Sequence, residues 1–126
     1  MLADAKVANR LPAQDLDRAR AFYAETLGLE PSEERPGGLL YTPAGGGEFA
    51  LFLSAGAPSG THTQMAFEVD DIEALAAELR RRGVTLEADG ITEVEGNYPS
   101  KGGRGERAIW FRDSEGNLLG IGEPVH

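Results

Sequence analysis

Few side chains in this sequence could do chemistry. The chain has two histidines and no cysteine, so thiolate chemistry and thiolate metal sites are excluded. His62, Gln64 and Glu68 fall at alternate positions of one predicted strand, which places their side chains on the same face. Imidazole and carboxylate are metal-ligand types, but the pattern places no third good ligand beside them, and an exposed strand end is the simpler interpretation of His62. Two histidines also disfavour an imidazole-based acid–base mechanism, which leaves Glu68 as a candidate general base.

The glycine-rich and basic segments do not carry the common catalytic motifs. Residues 45–47 and 102–103 precede no predicted helix and lack the phosphate-loop pattern. No serine stands in a nucleophile-elbow context. The basic run at residues 80–82 falls in the last turn of a predicted helix, where cations complement the helix dipole.

The amino-acid composition indicates which kinds of partner and which cellular compartment are expected. The formal net charge of −9 disfavours nucleic acid and anionic membranes as partners. No apolar run approaches the roughly 20 residues of a membrane span, and the N-terminus lacks the apolar stretch of a signal peptide. Together with the absence of cysteine, these features predict a cytoplasmic protein.

The elements that must position these side chains occur in a repeated order. Each half predicts a strand, a helix and then three strands, with the two copies offset by about 55 residues. The first copy comprises strands at 6–13, 29–34, 39–42 and 48–54 and a helix capped by Asp15 that ends before Gly28. The second comprises strands at 62–69, 84–88, 106–112 and 117–122 and a helix capped by Asp70 that ends at Gly83, with residues 89–105 irregular.

This order predicts an α+β fold of two βαβββ modules. Module one covers about residues 5–54, a linker covers 55–60, and module two covers about 61–123 of a single domain spanning 1–126. Each module has one open, curved, mixed sheet, and the two modules can bury their faces only by packing together. The cleft between the two curved sheets is then a natural ligand site.

Three stretches resemble the vicinal-oxygen-chelate superfamily, which includes glyoxalase I, extradiol dioxygenases and bleomycin-resistance-type binding proteins. The first is LPAQDLD at 11–17 running into FY at 22–23 and LGL at 27–29, and the second is MAFEVDD at 65–71 leading to RGV at 82–84. The third is FRDSEGN at 111–117, which is similar to the family's closing hairpin, with Ser114 where proline is usual. The resemblance implies paired βαβββ modules and a homodimer.

The resemblance also implies four metal-ligand positions, one on each of four strands. Alignment on the three stretches puts Ala8, Phe52, Gln64 and Gly120 at these positions. Only Gln64 could coordinate a cation, and one neutral amide cannot hold a catalytic metal. We therefore predict no metal and no cofactor at the family site.

Strand alternation from these four positions predicts what lines the cleft instead. Phe111 matches a helix-facing core position of the family, so the neighbouring Trp110 and Arg112 are expected to face the cleft. The full set of predicted ligand-binding residues is Arg10, Tyr41, Phe52, Gln64, Glu68, Tyr98, Trp110 and Arg112. A cavity that is partly aromatic suits stacking on a flat ligand.

These features favour a metal-independent small-molecule-binding protein that sequesters an aromatic or antibiotic-like compound. The alternative is a glyoxalase-like lyase or isomerase, metal-free or with a shifted metal site. Whether the chain is an enzyme stays open at this point, because the resemblance covers both classes.

Overall fold

A computed structural model describes residues 1–95 and 104–126. Two βαβββ modules follow one another, as the repeated order predicts. The first comprises β1 (Asn9–Ala13), α1 (Leu16–Glu25), β2 (Glu33–Arg35), β3 (Gly38–Tyr41) and β4 (Phe49–Leu53). The second comprises β5 (Met65–Glu68), α2 (Ile72–Arg81), β6 (Thr92–Glu95), β7 (Gly105–Arg112) and β8 (Leu118–Val125), with a short 3₁₀ turn at Glu87–Asp89 before β6.

Each module forms its own four-stranded mixed sheet with the same strand order. The first sheet runs β1-β4-β3-β2 and the second β5-β8-β7-β6. In each sheet the first strand pairs parallel to the last, and the other pairs are antiparallel. The repeat in element order is therefore a repeat in topology.

One side of each sheet packs on its helix and the other is open. In the second sheet Leu119 and Ile121 are buried, while their neighbours Gly120 and Gly122 lie on the open side. Among the described residues, no helix combines the length and apolar character needed to cross a bilayer.

Both helices begin at an aspartate that caps the first turn. Asp15 accepts a hydrogen bond from the backbone N–H of Arg18 at 2.9 Å, as predicted. In the second helix the cap is Asp71, which accepts from the N–H of Ala74 at 3.0 Å, so the prediction of Asp70 was wrong by one residue. Two consecutive aspartates offer equivalent caps, and the packing of Ile72, which is fully buried, selects the second one.

Aromatic side chains fill the core of the first module and reach the second. The ring of Tyr41 stacks on that of Phe49 with centroids 4.8 Å apart, and both rings contact Tyr23. Phe49 also meets Phe67 of the second module edge to face at 5.9 Å. The helix sides of the two sheets thus share one apolar cluster.

The segment after α2 departs from the predicted pattern. The sequence predicts a strand at 84–88 and irregular chain at 89–105, but the strand lies at Thr92–Glu95 and a 3₁₀ turn precedes it. Ala88 and Asp89 have φ values of 50° and 61°, which are left-handed conformations incompatible with a strand. The predicted strand at 84–88 was wrong: Val84 and Leu86 alternate as in a strand, but this pattern carries no information on the left-handed residues that follow.

The turn between β7 and β8 carries three buried polar side chains that reach back to the first module. Asp113 accepts from the hydroxyl of Tyr23 at 2.7 Å, and the side-chain amide of Asn117 donates to the carbonyl of Pro12 at 3.0 Å. Asp113 also accepts from the N–H groups of residues 115 and 117, which fixes the turn itself. We call residues 113–117, with these contacts, the intermodule turn.

Glu115 makes the densest set of contacts in the intermodule turn. One carboxylate oxygen accepts from the backbone N–H groups of Gln14 and Asp15 at 2.9 and 3.0 Å, just before α1. The carboxylate also accepts two hydrogen bonds from the Arg18 guanidinium, at 2.8 and 3.0 Å, and one from Ser114. These hydrogen bonds, that of Arg18 foremost, lower the pKa of Glu115 to about 2 against the opposing effect of burial.

Candidate functional site

A depression of about 420 Å³ lies on the open side of the second sheet. Its floor consists of small residues at alternate positions of three neighbouring strands, which leave room above the backbone. Polar and aromatic side chains stand around this floor. The lining includes Thr63, Ala66, Glu68, Glu106, Ala108, Trp110, Gly120 and Gly122.

Trp110 forms one wall of the depression and lies over Gly120. The two residues are cross-strand partners, and a Cβ on Gly120 would come within 3.2 Å of the indole nitrogen. The indole N–H donates to the hydroxyl of Thr63 at 3.1 Å, which fixes the ring across β8. Glycine at position 120 therefore makes room for the tryptophan.

Two carboxylates lie toward the other end of the depression. Glu106 is a half-buried side chain whose carboxylate covers Gly122, because a Cβ there would lie 2.5 Å from its Oε2 atom. Glu68 is exposed and is the register partner of the same glycine on the opposite strand. The depression thus has an aromatic end and an acidic end.

Sequence reasoning did not include Thr63 or Glu106 among the site residues. Glu106 lies four residues before Trp110 on the same strand, so continuing the alternation would have found it. Thr63 precedes β5, where alternation gives no guide, and only its hydrogen bond to Trp110 reveals its position.

Three other predicted site residues lie outside this depression, two of them on the open side of the first sheet. Arg10 pairs in register with Ala50, and both Arg10 and Phe52 are exposed there. Neither residue lines the depression beside Trp110. Gln64 is half-buried, and its backbone N–H donates to the carbonyl of Leu118, one step before the paired part of β5.

Tyr41 and Arg112 are engaged elsewhere. The expectation that Tyr41 joins the cleft was wrong, because it is 1% exposed on the helix side of β3, and burial raises the pKa of its hydroxyl to about 12. Arg112 donates to the carbonyl of Gly60 at 2.8 Å and pairs with Glu87 at 3.0 Å. Tyr98 lies outside the described residues.

The residues that the resemblance assigns to the family's metal positions do not fit a metal ion. Ala8 and Phe52 offer no donor atom, and Gly120 has no side chain and is covered by Trp110. Gln64 alone is a neutral amide, which cannot replace the usual set of imidazoles and carboxylates. Within residues 1–95 and 104–126, no group of three or more histidines, aspartates and glutamates is placed to hold a cation.

Two mixed sheets with repeated βαβββ order, each open on one side, define the class of fold. The model of the glyoxalase/bleomycin resistance protein/dioxygenase superfamily matches residues 6–121, which is most of the chain. The chain belongs to this superfamily. None of the curated proteins matches the sequence significantly.

Solved structures of the same fold include binding proteins and enzymes. TnmS3, an antibiotic binding protein from Streptomyces sp. CB03234, is 26% identical, with a TM-score of 0.68 over 98% of this chain and 99% of that one. A glyoxalase/bleomycin resistance protein/dioxygenase from Alicyclobacillus acidocaldarius is 18% identical, with a TM-score of 0.75 over 98% and 93% of the two chains. A lactoylglutathione lyase from Agrobacterium tumefaciens is 22% identical, with a TM-score of 0.67 over 95% and 93%.

Proposed function

We propose that this chain is a metal-independent binding protein for a flat aromatic, antibiotic-like molecule. The observation that carries the proposal is the depression beside Trp110, which has an aromatic wall over small residues of the second sheet. The positions that the resemblance assigns to metal ligands offer no usable donor set. A ligand packed against the indole would lie over Ala66, whose small side chain lets a planar ring approach the sheet. The acidic end would suit a polar or basic substituent of that ligand.

The likeness to TnmS3 supports this proposal. That protein binds an antibiotic, and its similarity extends over nearly the whole of both chains at 26% identity. The chain is cysteine-free, and we propose that it acts in the cytoplasm.

We further propose a homodimer that completes the site. The open side of the first sheet carries apolar side chains, including Phe52 at 37% exposure, and Leu53 at its edge is 56% exposed. A partner's first sheet could cover the depression, which would bring Arg10 and Phe52 to the ligand from the second copy. Sedimentation of the purified protein tests this arrangement, and a monomer at micromolar concentration would contradict it.

Binding can be followed through the single tryptophan. We expect at least one member of a panel of polycyclic aromatic antibiotics to quench or shift Trp110 emission, with calorimetry confirming the affinity of each hit. Ala66→Trp should abolish binding by filling the depression, while Ala77→Trp, on the exposed face of α2, should bind normally. A panel without any hit, or unchanged binding by Ala66→Trp, would overturn the proposal.

A second candidate function is a glyoxalase-like lyase or isomerase. It is favoured by Glu68 and Glu106, two carboxylates in one depression that could move a proton on a bound ligand. Mass spectrometry of each hit after incubation with the protein separates the two functions. An unchanged ligand supports binding alone, whereas turnover lost in Glu68→Gln supports the enzyme.

A further inference from the structure

A second cavity, of about 260 Å³, lies on the helix side of the sheets where the two modules meet. We call it the junction cavity. Its walls are apolar side chains from both modules, and they include Leu27, Leu29, Phe67, Val69, Leu75 and Leu79. It is separate from the depression at Trp110, which opens on the other side of the second sheet.

The sequence explains why this space is left between the modules. The first helix ends at Glu25, and Gly28, at φ +71°, turns the chain so that Leu27 and Leu29 flank the gap. Across the gap, Leu75 and Leu79 lie one turn apart on α2 and present one apolar face. The backbone path of one module and the helix of the other thus form two walls of the cavity, which is open to solvent at its mouth.

The two charged side chains that line the cavity are occupied by contacts within the protein. Glu78 accepts from the Nε of Arg82 at 2.8 Å and also pairs with Arg81. Arg82 donates to the carbonyls of Glu25 and Thr26 at 3.3 and 3.2 Å. A charged ligand would have to compete with these contacts, whereas an uncharged apolar one would not.

We propose that the junction cavity is a second ligand site, for a compact uncharged ring compound of one or two fused rings. An apolar cavity of about 150 Å³ holds benzene, so a volume of 260 Å³ has room for a larger ring system, with one edge at the open mouth. The cavity is smaller than the roughly 300–1,000 Å³ of sites for drug-sized ligands, so most of a polycyclic antibiotic would extend from its open mouth into solvent. The occupant therefore differs in size from the ligand proposed at Trp110.

Indole is a suitable probe because it is uncharged, has two fused rings and dissolves well. Calorimetry and saturation-transfer NMR should show saturable binding of indole to the wild-type protein. Indole-2-carboxylate has the same rings and one added charge, and it should bind about tenfold more weakly or worse. Binding of the carboxylate as tight as that of indole would overturn the proposal.

Cavity-filling variants locate the site. Leu75→Trp should weaken indole binding by about tenfold or more, because the larger ring takes the space, while Ala77→Trp on the exposed face of the same helix should not. Ala66→Trp fills the other depression and should leave indole binding unchanged. If Leu75→Trp does not melt cooperatively, Val69→Phe replaces it.

Undiminished binding by the cavity-filled variant, or loss of binding by Ala66→Trp, would place indole elsewhere and overturn the proposal. Absence of saturable binding to the wild-type protein would do the same. Because Phe67 and Ile121 line both spaces, the Ala66→Trp control is essential for telling the two sites apart.

Discussion

Replacement of Glu115 by glutamine tests how strongly the intermodule turn holds the modules together. Glutamine keeps the shape of the side chain but removes its charge and one acceptor oxygen. At least one of the donors from Gln14, Asp15, Arg18 and Ser114 then faces an amide N–H instead of an oxygen. Since Glu115 is only 7% exposed, water cannot readily replace the lost acceptor.

The pKa of Glu115 sets the size of the expected effect. A fall from 4.5 to about 2 corresponds to about 3 kcal/mol of stabilisation of the charged form in the folded state. The Arg18 side chain is 52% exposed, so solvent screens part of its contribution. We therefore expect Glu115→Gln to lower the free energy of unfolding by about 2 kcal/mol at pH 7.

The effect should depend on pH with a defined sign. The pKa of Glu115 is lower in the folded protein than in the unfolded chain, where it is near 4.5. Its charge therefore stabilises the fold fully at pH values above 4.5, and this contribution is lost as the pH falls through about 2. The stability difference between the wild-type protein and Glu115→Gln should therefore be constant from pH 7 to about pH 5 and shrink toward pH 2.

Urea unfolding followed by circular dichroism at a series of pH values measures this difference. Glu33→Gln is the matched control, because Glu33 is an exposed glutamate whose pairing with Arg35 is worth about 0.5 kcal/mol or less. Equal stability of Glu115→Gln and wild type at pH 7 would mean that the hydrogen bonds of Glu115 do not stabilise the folded protein. A difference that does not change with pH would show that the charge itself is not the cause.

Three further substitutions test other parts of the structure. Tyr23→Phe removes the hydroxyl that donates to buried Asp113, and we expect a loss of about 1–3 kcal/mol in urea unfolding. Gly120→Ala should displace the indole of Trp110, which is 3.2 Å from the added Cβ, and so change its emission maximum while the melting temperature changes little. Gly116→Ala should lower the free energy of unfolding by about 1 kcal/mol in the same assay, because residue 116 has a φ of +87°, which favours glycine. The added Cβ would meet only one neighbouring atom, at 3.8 Å, so the cost is that of the backbone conformation and not of a clash.

Each of these substitutions has an outcome that would contradict its rationale. Unchanged stability of Tyr23→Phe would mean that solvent reaches Asp113. Unchanged Trp110 emission in Gly120→Ala would mean that the indole does not lie over position 120. A stabilised Gly116→Ala would mean that the turn adopts a different backbone conformation.

Element order could be predicted from the sequence because periodicity and caps are local signals. The alternation along β7, with buried Ile109 and Phe111, places Trp110 on the open side as the pattern indicates. The same local rules failed at residues 84–88, where the backbone of Ala88, followed by that of Asp89, is left-handed. Apolar content alone does not reveal such backbone geometry.

The side of the sheet on which a side chain lies, and the residues that it contacts at the site, depend on tertiary contacts that the sequence does not encode locally. Tyr41 was expected on the cleft side, but its stacking on Phe49 and contact with Tyr23 hold it in the core. The resemblance assigns Gly120 to a metal position, and only the strand register shows that it is also the cross-strand partner of Trp110. Such pairings require the register between strands to be known.

The contacts of the intermodule turn indicate whether the two halves of the chain can fold separately. Its hydrogen bonds join residues about 100 positions apart, such as Gln14 with Glu115, so they close a loop that spans most of the chain. Without the last hairpin, the N–H groups of Gln14 and Asp15 and the hydroxyl of Tyr23 would lose their buried acceptors. We therefore expect neither half to fold alone, although each repeats the other's topology. A chimaera that exchanges one half with a relative would have to bring residues 12–23 and 113–117 from the same parent.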